Sequence, residues 1–453
     1  MLRTRRDFLR AVPAMAAAPA MAQIPGQRPR QSPDVVVINP RNRVPVTQII
    51  DDSTCLVNLN RFTIPQFAAG TGYKRYSLYD WRSMPHEIPD VFVQKFGEWC
   101  EFHGVKGKYS IVPYPACVGR LDRELPGWTS RELASSIKLV RDFMTKSWDI
   151  HPEMVTHTRV IDTKTGHPYP HFGPKYIENW EWTDGKTVDE IADYITYALT
   201  ILKNIELPCE GVTSPGEFGT RVRGNYAQAV LEACRHVYGA EIPHYFLDVI
   251  DSGDESVAPR VHYASGLDGD DPRCVVEIIG CTDDWTGNWD VSRAPDPDRF
   301  ITEDLSEGRL VDVIGRGEPA FLVAHWTGFY YSGRELGFKA FREVVRRLHR
   351  KYDNIVWMKV SEIARYWAAR ELTGLESKGD RILLRAPFAC PAFTIEYATD
   401  RSRPPVLTAS GRQTELREVQ SPLKLSAGAW FRDGRRVLAC FDLPKGNSTL
   451  QIA

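Results

Sequence analysis

The sequence predicts an α/β protein, a (β/α)7-like parallel barrel followed by a small C-terminal all-β module. Three observations carry that prediction: short apolar runs that end in polar residues, amphipathic helices between them, and a change of texture near residue 374. A buried parallel strand reads as a short apolar run, and in barrels of this kind the chemistry sits just past the strands' carboxyl ends.

Val44-Pro-Val-Thr-Gln-Ile-Ile50 is the first such run, and it ends in Asp51 and Asp52. Ile64 to Gly72 reads as a loop, Pro89 to Cys100 as a helix, and Val105 to Pro113 as a strand. Thr129-Ser-Arg-Glu132 and Thr187-Val-Asp-Glu190 are capping boxes that open two further helices. Pro152 to His157 reads as a strand end, and Gly211-Val-Thr-Ser-Pro215 follows the second capped helix. Val275 to Cys281 runs into Asp283-Asp284-Trp285, and Ala320 to Ala324 runs into His325-Trp326. Arg334 to Tyr352 is the clearest helix, with Phe338, Phe341, Val345 and Leu348 on one stripe. Residues 44–372 are thus expected to form the barrel. The runs beyond, broken by Gly, Pro and Asp, are expected to form a β-module over 379–453.

Composition narrows the function classes. A formal charge of −1 gives no electrostatic reason to bind nucleic acid. No G-x-G-x-x-G or phosphate-loop lysine motif supports a nucleotide. Twelve Trp, 18 Tyr and 19 Phe suit a sugar-stacking surface as well as a large core. The nine cysteines include no C-x-x-C, which argues against a zinc knot or disulfide scaffold; Cys274 and Cys281 are the closest candidates for a bridge.

At the amino end, Thr4-Arg5-Arg6-Asp7-Phe8-Leu9 is a twin-arginine pattern, followed by a mild apolar segment and the small-x-small site Ala20-Met21-Ala22. Residues 1–22 therefore read as an export peptide handled by the twin-arginine machinery. It leaves no permanent membrane anchor and places the mature chain in the periplasm or outside the cell. Residues 23–43, rich in Pro, Arg, Gln and Asn, read as a flexible leader.

Taken in order, the polar groups after the strands are Asp51-Asp52, His157-Thr158, Ser214-Pro-Gly-Glu217-Phe-Gly219, Asp283-Asp284-Trp285 and Leu322-Val-Ala-His325-Trp326. Over about residues 40–370 this series resembles the polysaccharide deacetylase (NodB-homology) family, whose motifs run in the same order. The resemblance implies Asp51 as general base, Asp52 and His157 as ligands of a divalent metal, and His325 as general acid. Zinc comes first as the metal, with cobalt or nickel as alternatives. The family's second motif has a further His four residues on; here Ile161 stands there and Asp162 follows. The third ligand is then Asp162, with His151 as the alternative and His167 and His171 after them. The family's arginine before the proline is also absent, since Thr213-Ser214 occupy that place.

The expected activity is removal of acetyl or other acyl groups from a carbohydrate. Glu217, Asp283, Trp285, Trp326 and Tyr330 are the candidate substrate contacts. Two other readings share the architecture. A glycosidase would draw a carboxylate pair from Glu217, Asp283, Asp284 and Asp52. A non-catalytic carbohydrate-binding protein would keep only the aromatic rim.

Overall fold

A computed structural model describes residues 26–452, so the twin-arginine segment and the start of the leader lie outside the described residues. In chain order the elements are β1 (Val35–Val37), β2 (Val44–Asp51), α1 (Leu59–Thr71), α2 (Lys74–Ser77), α3 (Asp90–Phe102), β3 (Gly107–Ile111), α4 (Ser130–Asp142), β4 (Trp148–Pro152), β5 (Ile161–Asp162), β6 (His167–Pro168), α5 (Val188–Asn204), β7 (Gly211–Thr213), α6 (Arg223–Tyr238) and β8 (His244–Val249). There follow β9 (Arg260–Ser265), β10 (Arg273–Gly280), α7 (Arg309–Gly315), β11 (Ala320–His325), α8 (Trp326–Tyr330), α9 (Leu336–Lys351), β12 (Ile355–Trp357) and α10 (Val360–Leu372). No helix among the described residues is long and apolar enough to cross a membrane.

The strand–helix alternation builds two parallel sheets. In the first the order is β11-β2-β3-β4, with β12 also pairing β2. All eight residues of β2 are buried, as a strand covered on both faces requires. The second sheet runs β7-β8-β10-β9; β7, β8 and β10 are parallel and β9 returns antiparallel.

The fold is therefore mixed α/β with parallel sheets, and the expected closed barrel is corrected: among the described residues no ladder joins β4 to β7 or β10 to β11. At one seam Cys281 N donates to Phe321 O and Val323 N to the Thr282 hydroxyl, so a side chain takes over part of the pairing. At the other, the imidazoles of His151 and His244 lie 2.9 Å apart. A Cβ on Gly211 would sit 2.7 Å from His151 Nε2, so only glycine leaves room for that pair.

Local signals hold where the chemistry is local. Both capping boxes form, with Thr129 and Thr187 each accepting from the N3 glutamate's backbone N–H and each glutamate reaching back. Ile64 to Gly72 is mostly helix, not loop. Pro65 lies inside α1, which buries Leu59, Ile64 and Phe67, and this apolar face outweighs the one lost N–H bond. Nor is the described part of the leader free, since β1 pairs antiparallel with Tyr397, Glu396 and Ile395.

Beyond α10 the chain forms strands and one short 3-10 turn (Pro422–Lys424): β13 (Gly374–Lys378), β14 (Arg381–Ala386), β15 (Cys390–Ala398), β16 (Val406–Ala409), β17 (Arg412–Glu415), β18 (Arg417–Glu418), β19 (Ala429–Asp433), β20 (Arg436–Leu443) and β21 (Gly446–Gln451). Two five-stranded sheets result, β1-β15-β20-β19-β18 and β13-β14-β21-β16-β17. Ile382, Leu384, Phe393 and Ile395 share one apolar core with Ile363 and Trp367 of α10 and with Val276 and Phe321 of the parallel sheets. All nine cysteines are free, Cys274 and Cys281 among them.

Candidate metal and acid–base site

Adjacent residues on an extended strand point to opposite faces, and Asp51 and Asp52 use that difference. Asp51 is the last residue of β2, and Asp52 takes a left-handed turn at φ 60°. Asp51 turns to Lys108, whose ammonium is buried and fully satisfied by Asp51 Oδ1 at 2.5 Å, Ser110 Oγ at 2.8 Å and Ile50 O at 3.3 Å. Burial lifts the Asp51 carboxyl above its ordinary range, and the Lys108 charge works against that lift.

Asp52 turns the other way, toward the segment that follows β4. That strand stops at Pro152, so His157 is carried on a turn beyond its end. Asp52 N donates to Glu153 Oε2 at 2.7 Å. His157 Nε2 lies 2.8 Å from Asp52 Oδ1 and 3.3 Å from Glu153 Oε1. Each of the three offers a donor atom within 4.8 Å of the others, and all three are buried. Asp52 Oδ1, although so close to the imidazole, has no partner of hydrogen-bond geometry. Donors held about 2.0–2.2 Å from a shared tetrahedral ion stand roughly 3.3 Å from each other; the His157–Glu153 pair has that separation, and the His157–Asp52 pair is closer at 2.8 Å.

The cluster demands positive charge. Burial pushes the His157 imidazole down, yet the charges of Asp52 and Glu153 outweigh it and hold the ring well above its ordinary range. Burial likewise favours neutral Asp52, and the His157 charge overrides it, so the carboxylate is held low. A proton on His157 meets that demand; so would a divalent cation. Two carboxylates and one imidazole form an oxygen-rich donor set that fits zinc and also harder first-row ions.

Across β2 stands the second histidine, since His325 pairs in register with Asp51. Its Nδ1 is 2.8 Å from Asp284 Oδ2, and Asp284 Oδ1 accepts from the backbone N–H and hydroxyl of Thr286 at 2.8 and 2.6 Å. The imidazole is thereby fixed through one nitrogen. Burial lowers its affinity for a proton, but the Asp284 bond and the charges of Asp52, Asp284 and Asp51 raise its pKa to about 9.

Other candidate residues lie elsewhere. Asp162 is not part of the cluster; its Oδ1 accepts Lys164 N at 3.0 Å in the β5–β6 hairpin. His151 is committed to His244 and Thr213, and burial with neighbouring positive groups drives its pKa well down. His167 and His171 are exposed. Glu217 pairs with Arg221 at 2.6 Å and Asp283 with Arg293 at 3.2 Å. Trp326 is wholly buried against Phe92, Phe96 and Tyr109, because the chain enters α8 directly after His325; it is core, not rim. Trp285 is also buried, edge-on to Phe300 with Arg299 over its face, and Tyr330 packs on Phe92.

Three residues that sequence reasoning passed over belong here. Glu153 stands four before His157, a spacing that could have flagged it. Lys108 is a lysine inside an otherwise uncharged strand. Phe67 packs 6.5 Å from the His157 ring, with Trp180 and Trp289 edge-on to it at 4.8 and 5.8 Å, forming an aromatic wall drawn from three distant segments.

The sequence matches no protein-family model and no curated protein. Among solved structures the chain is similar to a probable polysaccharide deacetylase from Pseudomonas aeruginosa PAO1, at 14% identity and a TM-score of 0.32 over 52% of this chain and 65% of that one. It thus spans slightly less than two thirds of that deacetylase. It is also similar to Puue allantoinase (11% identity, TM-score 0.34, 72% and 89% covered). A third likeness is to Xyn30A, a glycoside hydrolase family 30 subfamily 8 xylanase from Clostridium acetobutylicum (10%, 0.27, 92% and 99%). TM-scores this low carry nothing about chemistry, which rests on the residues alone.

Proposed function

We propose that this chain is an exported, metal-dependent hydrolase that removes acyl groups from a carbohydrate. The observation that carries the reading is the buried meeting of Asp52, Glu153 and His157, with Asp51 beside it and His325 across the same strand. Asp52, Glu153 and His157 would hold the ion. A divalent cation in such a site supplies Lewis acidity, activating water and polarising an acyl carbonyl.

The chain's own residues do the rest. Asp51, raised by burial and steadied by Lys108, accepts the proton of the attacking water. His325, charged at neutral pH and held through Nδ1 by Asp284, keeps Nε2 for the leaving amine or alkoxide and delivers the proton there. Trp289, partly exposed and packed against the buried Phe67 and Trp180, offers an apolar face suited to the C–H face of a sugar. Glu217 and Asp283, both tied to arginines, are weak candidates for a glycosidase pair.

The test is acetate release from N- and O-acetylated oligosaccharides, with and without a chelator and after adding back Zn²⁺, Co²⁺ or Ni²⁺. Release that stops with chelator and returns with metal is expected. Undiminished release from metal-free protein, or none under any loading, overturns the proposal.

A further inference from the structure

The turn that carries Glu153 and His157 is held from behind by another carboxylate, one outside the ligand cluster. Glu178 is fully buried. Its Oε2 accepts the backbone N–H of His157 at 2.6 Å and of Thr156 at 3.1 Å, and its Oε1 lies 3.0 Å from the same Thr156 nitrogen. The Tyr194 hydroxyl, on α5, donates to Oε1 at 2.5 Å and accepts the N–H of Ile161 at 3.1 Å. Glu178's own N–H donates to Thr158 O at 2.7 Å, so side chain and backbone grip the same turn.

That grip has a conformational job. Met154 and His157 adopt left-handed backbone at φ 51° and 60°, which side-chain-bearing residues adopt only where their surroundings enforce it. Two buried N–H groups and one hydroxyl converge on the two oxygens of Glu178 and work against the burial that lifts its pKa to about 7; as a carboxylate it takes all three without presenting a donor of its own. An amide in the same place must turn its NH2 toward one of them.

We propose that Glu178, backed by Tyr194, is a positioning residue of the metal centre: it fixes the left-handed turn that aims His157 Nε2 at the gap between Asp52 and Glu153. Glu178 thereby sets the affinity and geometry with which the ion is held. This rests on reading Asp52, Glu153 and His157 as ligands.

The experiment strips the full chain with chelator and titrates it with Co²⁺, following calorimetric heat and visible d–d absorption, alongside the thermal midpoint of the metal-free protein. Glu178→Gln should lower the midpoint of the metal-free protein by a few degrees and bind Co²⁺ about 10–100-fold more weakly with an altered d–d spectrum, in the range known for residues that orient metal ligands. Tyr194→Phe, which removes only the hydroxyl, should move affinity in the same direction by less. Variants that bind as tightly as the parent with an unchanged spectrum overturn the positioning role alone. A parent that takes up no Co²⁺ overturns the ligand assignment and this proposal together. Should Glu178→Gln fail to fold, Tyr194→Phe decides by the same two readouts.

Discussion

At the carboxyl ends of the two parallel sheets, acids are handled differently. Around the ends of the second sheet several are paired with arginines: Glu217 with Arg221, which also holds Asp184, Asp248 with Arg223, which also approaches Glu277, and Asp283 with Arg293. Past the first, Asp52 and Glu153 face a single histidine, and Asp51 holds a lysine removed from solvent. Arginine pairs open to solvent, such as Arg221–Glu217, neutralise charge and contribute little else, typically about 0–1 kcal/mol. A buried cluster with two carboxylates and one imidazole is a different object, because burial raises the free energy of every unmatched charge and so selects for a cation. Asp284 bridges the two regions, since it leaves the second sheet to hold His325 at the end of the first.

The largest effect expected from this contrast is at His157. His157→Ala should abolish metal uptake and lower acyl release by at least about 10³-fold, as large as the loss of a single acid–base group. Residual turnover near the parent's, measured at saturating metal, would erase the distinction between the sheets.

Lys108→Met comes next. It leaves Asp51 buried without its cation and should destabilise the fold by about 3–5 kcal/mol in chemical denaturation. Adding Asp51→Leu to that variant should recover much of the stability without recovering activity.

His325 sets a pH signature. Its folded pKa of about 9 lies above the ordinary histidine value, so its charge stabilises the fold fully below about pH 6.5. That contribution, on the order of 3 kcal/mol, is lost as pH rises through the folded value. Activity that needs the protonated acid should fall on an alkaline limb set by His325. Asp284→Asn should move that limb at least about one unit toward acid pH, with the midpoint read from a rate profile.

The smallest effect belongs to the second sheet. Arg221→Ala should change stability by less than about 1 kcal/mol and leave acyl release unchanged. A large loss of activity there would mean the site extends across both sheets.

What could be read in advance followed the range of the interaction. Capping boxes, the Phe338–Leu348 stripe and the buried β2 run are set within a few residues, and the structure has them all. Adjacent aspartates point the same way only if the backbone turns; it turns at Asp52, and the two still face different partners, Lys108 and His157. Closure of the barrel was not legible, because it depends on hydrogen bonds between strands far apart in sequence. At those seams Thr282 and the His151–His244 pair take the place of a ladder. The cluster was half legible: the motif order pointed to Asp52 and His157 but directed attention downstream to Asp162. The left-handed residues Met154 and His157, invisible in sequence, shape the turn that brings Glu153 to the same point.

The most direct measurement is metal stoichiometry. Chelator-stripped protein dialysed against micromolar Zn²⁺ and assayed by elemental analysis should carry one ion per chain, and an Asp52→Asn, Glu153→Gln double variant should carry none. A parent that remains metal-free, or a double variant that loads as fully as the parent, would contradict a metal centre at the end of the first sheet.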